Sequence, residues 1–402
     1  GNVDCNSGLD VTGAITGTTD ATINSITVGK GANSVAGNTV LGESALDASV
    51  SGGNNTAIGK NALTDLTSGS QNVAVGTNAL AAHTTSNNNA AVGFDALAAN
   101  TTGTFNTAVG SDCLETITTS SNCTGVGSQA LRLNTGASNT ALGAESLTAN
   151  TSGASNTAIG DDALKTNTTG IHNTALGKGA LDSNTTGNHN VALGSTSLSA
   201  NTTGSQNIAI GQDAFKTNTT GSNNVAIGGN ALDANTTASS NVAIGFAALT
   251  DNTTGTSNVA VGRAALGTNS TASNNTGIGH NALLSNTTGD RNVAVGSLAL
   301  DANTTANLNT AIGHASLGSN TTGFSNTSVG AISLDANTTG NYNTGFGYET
   351  LSSNTTGSNN IAIGGSTLRD NTTASNNTAV GYLAMLNNTT GANNVAIGVV
   401  AL

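Results

Sequence analysis

Asn224-Val225-Ala226-Ile227-Gly228, near the middle of the chain, is one copy of a motif that recurs along almost the whole sequence. The glycine that ends the motif occurs 22 times between Gly42 and Gly398. These glycines keep a 17-residue period throughout, except for a single 16-residue interval between Gly127 and Gly143. A short, fixed period of this kind indicates a solenoid, in which each repeat stacks on the next.

The composition of the repeat favours strands over helices. We number its positions from 1 at Asn224 to 17 at Ser240. Position 1 is Asn in 21 copies, position 4 is always apolar, and position 9 is Leu in 20 copies. A repeat of this length is too short for two helices, and a β-branched segment between Gly and Asn-Thr-Thr-Gly is typical of a short strand between turns. The sequence therefore predicts an all-β fold, a parallel β-solenoid of 22 coils with one 17-residue repeat in each coil.

Four residues of the middle copy represent the expected structural roles. Asn224 should join a ladder of side-chain amides stacked along the solenoid. Ile227 and Leu232 should form apolar columns in the interior, and Gly228 should occupy a tight corner where φ is positive. Neither face of the strand is plainly hydrophilic, so we expect the chain to associate laterally with copies of itself.

The repeat also divides the chain. Residues 1–28 lie outside it and alternate apolar and polar residues, which predicts an extended or β lead-in. Residues 29–402 form the solenoid shaft, irregular over 29–142 and regular over 143–402. The chain starts at Gly1, so we expect that a leader was removed or that the true start is missing. The last copy stops at position 9 without a polar cap, so we expect the protein to continue or this end to be covered.

Composition excludes several functional classes. The net charge is −12 and 7% of residues are charged, which argues against a nucleic-acid partner. No apolar run is long enough to insert into a membrane. No catalytic constellation or phosphate-binding loop recurs, so we expect neither enzyme activity nor a cofactor. The abundance of Asn, Thr, Ser and Gly is also compatible with disorder, but a disordered chain has no reason to keep Leu in phase.

The motif N-x-A-[VI]-G, as in Asn224 to Gly228 with Ala231 following in register, resembles the head repeat of trimeric autotransporter adhesins, the YadA-like left-handed parallel β-roll. Repeats with Asn-Thr-Thr-Gly inserts are also similar to the shafts of tailed-phage and other viral fibres. The resemblance covers residues 28–402. The repeat length differs, because the adhesin repeat is shorter than the repeat of this chain. It implies a homotrimer on a cell or virion surface that adheres to a host or surface glycan or protein.

Three functions follow from these observations. The first is a structural fibre or adhesin shaft, extracellular or on a virion, that presents host- or surface-binding regions. The second is a subunit of a self-assembling extracellular filament. The third is an ice-binding solenoid, because threonines stack in rows. The adjacent Thr-Thr pair in a turn fits this last function least, since the two side chains of such a pair point in different directions.

Histidine and aromatic residues supply candidate binding sites. His172 and His189 occupy position 17 of successive copies, so they should stack one coil apart, either as a metal site or by chance. A set of aromatic residues near the C-terminal end forms either a receptor patch or structural packing. Its members are Phe324, Tyr342, Tyr348 and Tyr382. Phe346 lies among them at position 4, where we expect a structural role.

Cysteine and Asn-Thr-Thr residues leave further alternatives open. Cys113 and Cys123 form either a disulfide or two buried thiols, since spacing alone does not give the geometry. Cys5 is the odd cysteine and is a candidate for pairing between chains. The inserts, with Asn-Thr-Thr and its variants, contain 16 sequons from Asn100 to Asn388, which serve either as glycosylation sites or simply as turn formers.

Overall fold

The computed structural model describes residues 19–402. Over these residues short β-strands are joined by turns, and the one helical element is a 3₁₀ turn at Ala32–Ser34. The chain divides into two compact units, Gly1–Asn139 and Thr140–Leu402. The one shortened interval of the sequence, between Gly127 and Gly143, spans this division. The all-β, parallel β-solenoid fold predicted from the repeat is confirmed. Cys5 and the other residues of the lead-in before residue 19 lie outside the described part.

Unit 1 begins with antiparallel pairing and continues as a parallel coil. Strands β1 and β2 form a hairpin, and β2 pairs antiparallel with β3. From β3 to β8 each strand pairs in parallel with the next. The strands of unit 1 are β1 (Ala21–Ile23), β2 (Ile26–Gly29), β3 (Thr39–Gly42), β4 (Thr56–Ile58), β5 (Val73–Val75), β6 (Ala90–Val92), β7 (Thr107–Val109) and β8 (Thr124–Val126).

Unit 2 is parallel throughout, with one three-residue strand in each coil. Its strands are β9 (Thr140–Leu142), β10 (Thr157–Ile159), β11 (Thr174–Leu176), β12 (Val191–Leu193), β13 (Ile208–Ile210), β14 (Val225–Ile227), β15 (Val242–Ile244), β16 (Val259–Val261), β17 (Thr276–Ile278), β18 (Val293–Val295), β19 (Thr310–Ile312), β20 (Thr327–Val329), β21 (Thr344–Phe346), β22 (Ile361–Ile363), β23 (Thr378–Val380) and β24 (Val395–Ile397).

The register places equal positions of successive coils beside each other. Val225 pairs with Val242 and Ala226 pairs with Ala243, one full repeat further along the chain in each case. Adjacent hydrogen-bonded strands lie ~4.8 Å apart, so each position forms a row with one residue every ~4.8 Å. The fold therefore converts every position of the repeat into a linear row of side chains.

The interior of each coil is narrow and filled by small residues and one leucine. Ala226 at position 3, Ala231 at position 8 and Leu232 at position 9 are fully buried, and the equivalent residues of neighbouring coils are buried in the same way. Because side chains alternate across a strand, the burial of position 3 turns positions 2 and 4 outward. The expected interior column at position 9, represented by Leu232, is confirmed.

The expected interior column at position 4 is wrong. Ile227 is only half-buried, and its equivalent Ile244 is 37% exposed, on the outer face of the strand. Phe346, also at position 4, is 56% exposed rather than structural. Position 3 faces the leucine column closely: a Cβ at Gly277, at position 3, would lie 3.3 Å from Cγ of Leu266, the position-9 residue of the preceding coil.

The amide ladder predicted at position 1 is present. Asn224 is fully buried, and its Oδ1 accepts a hydrogen bond from the backbone N–H of Asn241 at 2.9 Å. Its Nδ2 donates to the carbonyl oxygen of Ala238 at 3.0 Å, which ties the strand to the turn that ends the same coil. Each asparagine thus satisfies buried backbone groups that the short strand alone would leave unpaired.

A second amide ladder, at position 12, was not predicted. Asn201 Nδ2 donates to Asn184 Oδ1 at 2.8 Å, and Asn218 Nδ2 donates to Asn201 Oδ1 at 2.8 Å. The Asn201 amide also donates to the carbonyl oxygen of Gly204, in the same turn, at 3.0 Å. The Asn of Asn-Thr-Thr-Gly is therefore a buried ladder residue as well as a turn former.

Left-handed backbone conformations close each coil. Gly228 has φ +128°, and a Cβ there would lie 2.5 Å from the carbonyl oxygen of Gly245. Only glycine meets both conditions, so the predicted corner is confirmed. Leu232 has φ +54°, which is unfavourable for a bulky residue. Its complete burial and the hydrogen bond from its N–H to the Ala248 carbonyl oxygen at 3.0 Å offset this cost.

Candidate interaction surfaces

The outer face of the strands in unit 2 is an apolar surface built from positions 2 and 4. Position 4 is Val, Ile, Leu or Phe in every coil, and position 2 is Thr, Val or Ile, so neither row contains a charged residue. Apart from the last coil, the most exposed position-4 residues are between 37% and 56% exposed, and they are Leu142, Leu176, Ile210, Ile244, Ile278, Ile312, Phe346 and Ile363. Over the coils of unit 2 we estimate an apolar area on the order of 1,000 Å², above the few hundred usual for the largest patch of a soluble monomer.

Aromatic residues lie on the edges of the coils and hardly at all in the interior. Of the nine aromatic side chains, only Phe215 at position 9 is buried. The others are exposed at positions 4, 6, 16 and 17. Since buried aromatic side chains are a large source of core stability, their placement on the surface favours an interaction role.

One edge of unit 2 carries a regular row of planar side chains at position 6, directly after the glycine corner. We call this set the ring row, and its members are Phe246, His280, His314, Tyr348 and Tyr382. All five are exposed. Successive members are separated by two repeats, so they lie on alternate coils. The alternation is visible in the sequence only when residues are compared by their position in the repeat.

The structure divides the four aromatic residues expected to form one receptor patch. Phe324 and Tyr342 contact each other edge to face, with ring centroids 5.2 Å apart, on the turn before the strand. Tyr348 and Tyr382 belong to the ring row, on the turn after the strand. The strand and its glycine corner separate the two pairs along each coil.

His172 and His189 stack as expected. Their ring centroids are 5.1 Å apart with an angle of 26° between the planes, and both side chains are exposed. Among the residues that the structure describes, no group of three or more His, Cys, Asp or Glu side chains comes together that could hold a metal ion. The pair therefore has two imidazoles and no third ligand from this part of the chain.

Cys113 and Cys123 are free, buried thiols, and no disulfide joins them. Burial raises the pKa of Cys113 to about 12 and also raises the pKa of Cys123. The Cys123 thiol takes the place of the position-1 amide and donates to the carbonyl oxygen of Gly136 at 3.3 Å. Both thiols thus serve packing, and Cys123 partly reproduces the ladder bond of the asparagine that it replaces.

The Asn-Thr-Thr-Gly turn presents only one hydroxyl row to solvent. Thr185 Oγ1 at position 13 donates to the carbonyl oxygen of Thr202 at 3.0 Å, and Thr202 Oγ1 donates to Thr219 at 2.9 Å. The threonines at position 14, such as Thr186 and Thr203, are exposed. The insert sequon asparagines at position 12, from Asn100 to Asn371, are fully buried in the folded coil.

Acidic side chains at position 10 of unit 2 are half-buried. The Oδ1 atoms of Asp182, Asp233 and Asp335 are buried without a hydrogen-bond partner. Burial is the main cause that raises the pKa of each of these carboxyl groups. These three carboxyl groups are therefore only partly solvated in the folded coil.

Comparisons with known proteins add no family to this description. No protein-family model matches the chain, and no curated protein matches it. None of the helical segments in residues 19–402 has the length and apolar character needed to cross a membrane.

Proposed function

We propose that this protein is a structural fibre or adhesin shaft of a cell or virion surface, built from copies of the chain that associate laterally as a homotrimer. The observation that supports the proposal is the uncharged apolar face of unit 2. Its exposed area, on the order of 1,000 Å², is comparable to the roughly 800 Å² per partner of a standard protein interface. Such a face is unfavourable in water unless another surface covers it.

The spacing of the rows favours a second copy as the partner. Side chains along the face recur every ~4.8 Å. A partner that packs side by side over many coils must present rows with the same spacing, or the contacts drift out of phase. A copy of the chain meets this condition in every coil. The resemblance to trimeric adhesin heads and fibre shafts agrees with this arrangement and supplies the number three.

Lysine substitutions on the sheet face test the proposal. Val225, Val242 and Val259 occupy position 2 of three successive coils, and changing all three to Lys places like charges ~4.8 Å apart on the face. We expect the parent protein to have the mass of three chains by light scattering and the triple variant to be monomeric. A parent protein that is monomeric at micromolar concentration would refute the trimer.

A matched control separates lost association from lost folding. Thr220, Thr237 and Thr254 occupy the exposed position 14 of three successive coils, and their change to Lys stacks the same charges away from the sheet face. We expect this variant to keep the mass and circular dichroism of the parent. Electron micrographs of the parent should show discrete rods, whereas long end-to-end polymers would favour the filament alternative.

A further inference from the structure

The spacing of the ring row is set by the backbone. The carbonyl oxygen of His280 accepts from the N–H of Leu298 at 3.0 Å, and the carbonyl oxygen of His314 accepts from Ile332 at 2.9 Å. Equivalent bonds link Tyr348 to Ser366 at 2.8 Å. Each coil advances by one interstrand spacing, so rings on alternate coils recur every ~9.6 Å. The five rings span eight coils, or ~38 Å, along unit 2.

Most residues on the intervening coils are small and leave the rings accessible, whereas Arg263 Nη1 lies 3.3 Å from Nε2 of His280. Position 6 of the coils between them is occupied by Arg263, Ser297, Ala331 and Gly365, and Gly229 precedes Phe246. A Cβ at Gly229 would lie 3.5 Å from Cδ2 of Phe246, and one at Gly365 would lie 3.3 Å from Cδ2 of Tyr382. These rings thus lean over a bare glycine of the preceding coil. Phe246, Tyr348 and Tyr382 are 56–58% exposed, which leaves ring surface free for a ligand.

We propose that the ring row binds an extended β-1,4-linked polysaccharide lying along the edge of unit 2. In such a polymer each sugar is turned over relative to the one before, so the same C–H face recurs at every second sugar. The length of that disaccharide unit is close to the spacing of two coils. The C–H face of a pyranose stacks on the electron-rich face of an aromatic ring. The row therefore offers one stacking platform per disaccharide.

Charge and spacing disfavour other polymers. Arg263 is the only permanently charged residue at position 6 between Gly229 and Val399, so the edge suits an uncharged ligand. Stacked nucleic-acid bases recur every ~3.4 Å, less than half the spacing of the rings, and the chain carries a net charge of −12. Polymers of α-linked glucose coil and do not present one face along a straight line.

The test uses the full-length protein and insoluble polysaccharides. The parent should bind microcrystalline cellulose or chitin, both β-1,4-linked, and not α-linked starch granules. Phe246→Ser, Tyr348→Ser and Tyr382→Ser combined should weaken binding by about tenfold or more. Phe94→Ser is the matched control, because Phe94 occupies position 6 and is exposed but has no ring two coils away on either side. This control should bind like the parent.

A spacing variant tests the register itself. Ala331→Tyr combined with Tyr348→Ala keeps the number of rings but moves one of them to an adjacent coil. We expect it to lose most of the binding that the triple variant loses. Binding equal to the parent would overturn the proposal, and so would a parent that binds neither cellulose nor chitin.

This inference rests on the proposed adhesin function, and light scattering on the same samples separates the two. A trimer that binds no β-1,4-linked polymer refutes the ligand and leaves the shaft. A monomer that binds cellulose or chitin refutes the shaft and leaves the ligand. Ring substitutions that reduce the mass of the assembly would show that the ring row contacts another chain, and would overturn the inference.

Discussion

Replacing Asn224 by Asp changes one ladder amide, which donates and accepts hydrogen bonds, into a carboxylate of the same shape that only accepts them. The carboxylate keeps its acceptor role toward the N–H of Asn241, at 2.9 Å in the parent. It loses the two donors that face Ala238 O at 3.0 Å and Asn207 Oδ1 at 3.2 Å, and it faces both oxygens as an anion. We therefore expect strong local destabilisation at neutral pH.

The size of the effect follows from the complete burial of the site. Removing one partner of a buried charged pair, which leaves a charge uncompensated, costs about 3–5 kcal/mol. Protonation removes the charge and restores one O–H donor toward Ala238. The pKa of the introduced carboxyl should be raised in the folded state, so the folded state binds the proton more tightly than the unfolded one. The destabilisation should therefore grow as the pH rises above about 3.9 and largely disappear below it.

Hydrogen exchange measured by mass spectrometry gives a local readout. A cost of about 3 kcal/mol should accelerate exchange of the amides around Asn241 by about 100-fold at neutral pH. Asn223→Asp, at the adjacent exposed position with φ +61°, is the matched control and should exchange like the parent. Equal protection of Asn224→Asp and the parent at neutral pH would refute the ladder as a source of stability, and so would equal effects of the two variants.

Two further predictions concern the core and the cysteines. Leu232→Asp should lower the denaturation midpoint strongly because it buries a charge. Asp233→Asn should raise the denaturation midpoint at neutral pH and leave it unchanged at pH 3. Burial raises the pKa of Asp233 above its unfolded value, so the stability of the parent falls as the pH rises above the unfolded pKa of about 3.9. Similar midpoints for the two variants would contradict the assignment of positions 9 and 10. Cys113 and Cys123 should resist alkylation in the native protein at neutral pH and react in denaturant. Both thiols are buried, and the pKa of Cys113 is raised to about 12. Peptide mapping that finds either residue labelled in the native state would contradict this prediction.

The rows of equivalent side chains were predictable because the repeat period is visible in the amino-acid sequence. Asn224, Gly228 and Leu232 have the ladder, corner and core roles that their recurrence indicated. Ile227 does not, because an apolar residue at a constant position indicates a shared environment but not which side of the strand is inside. The tertiary structure decided that point, because it buries Ala226 completely and leaves Ile227 on the outer face of the strand.

The ring row shows a second limit of what the sequence alone predicts. The sequence grouped Tyr348 and Tyr382 with Phe324 and Tyr342 because they are close in the chain. In the fold, Tyr348 and Tyr382 follow the strand and align with Phe246, which is distant from both in sequence. Phe324 and Tyr342 contact each other on the turn before the strand.

The sequence by itself determined that this chain is a parallel β-solenoid, because only stacking in register explains an asparagine, a glycine and a leucine repeated at one period. The tertiary structure alone decided which rows face inward, that Asn235 and its equivalents form a second ladder, and that Val225 and Ile227 lie on the outer face. The physical reason is that periodicity fixes which residues are neighbours along the stack. The direction of each side chain depends on backbone angles, such as φ +54° at Leu232, and on the room inside the coil.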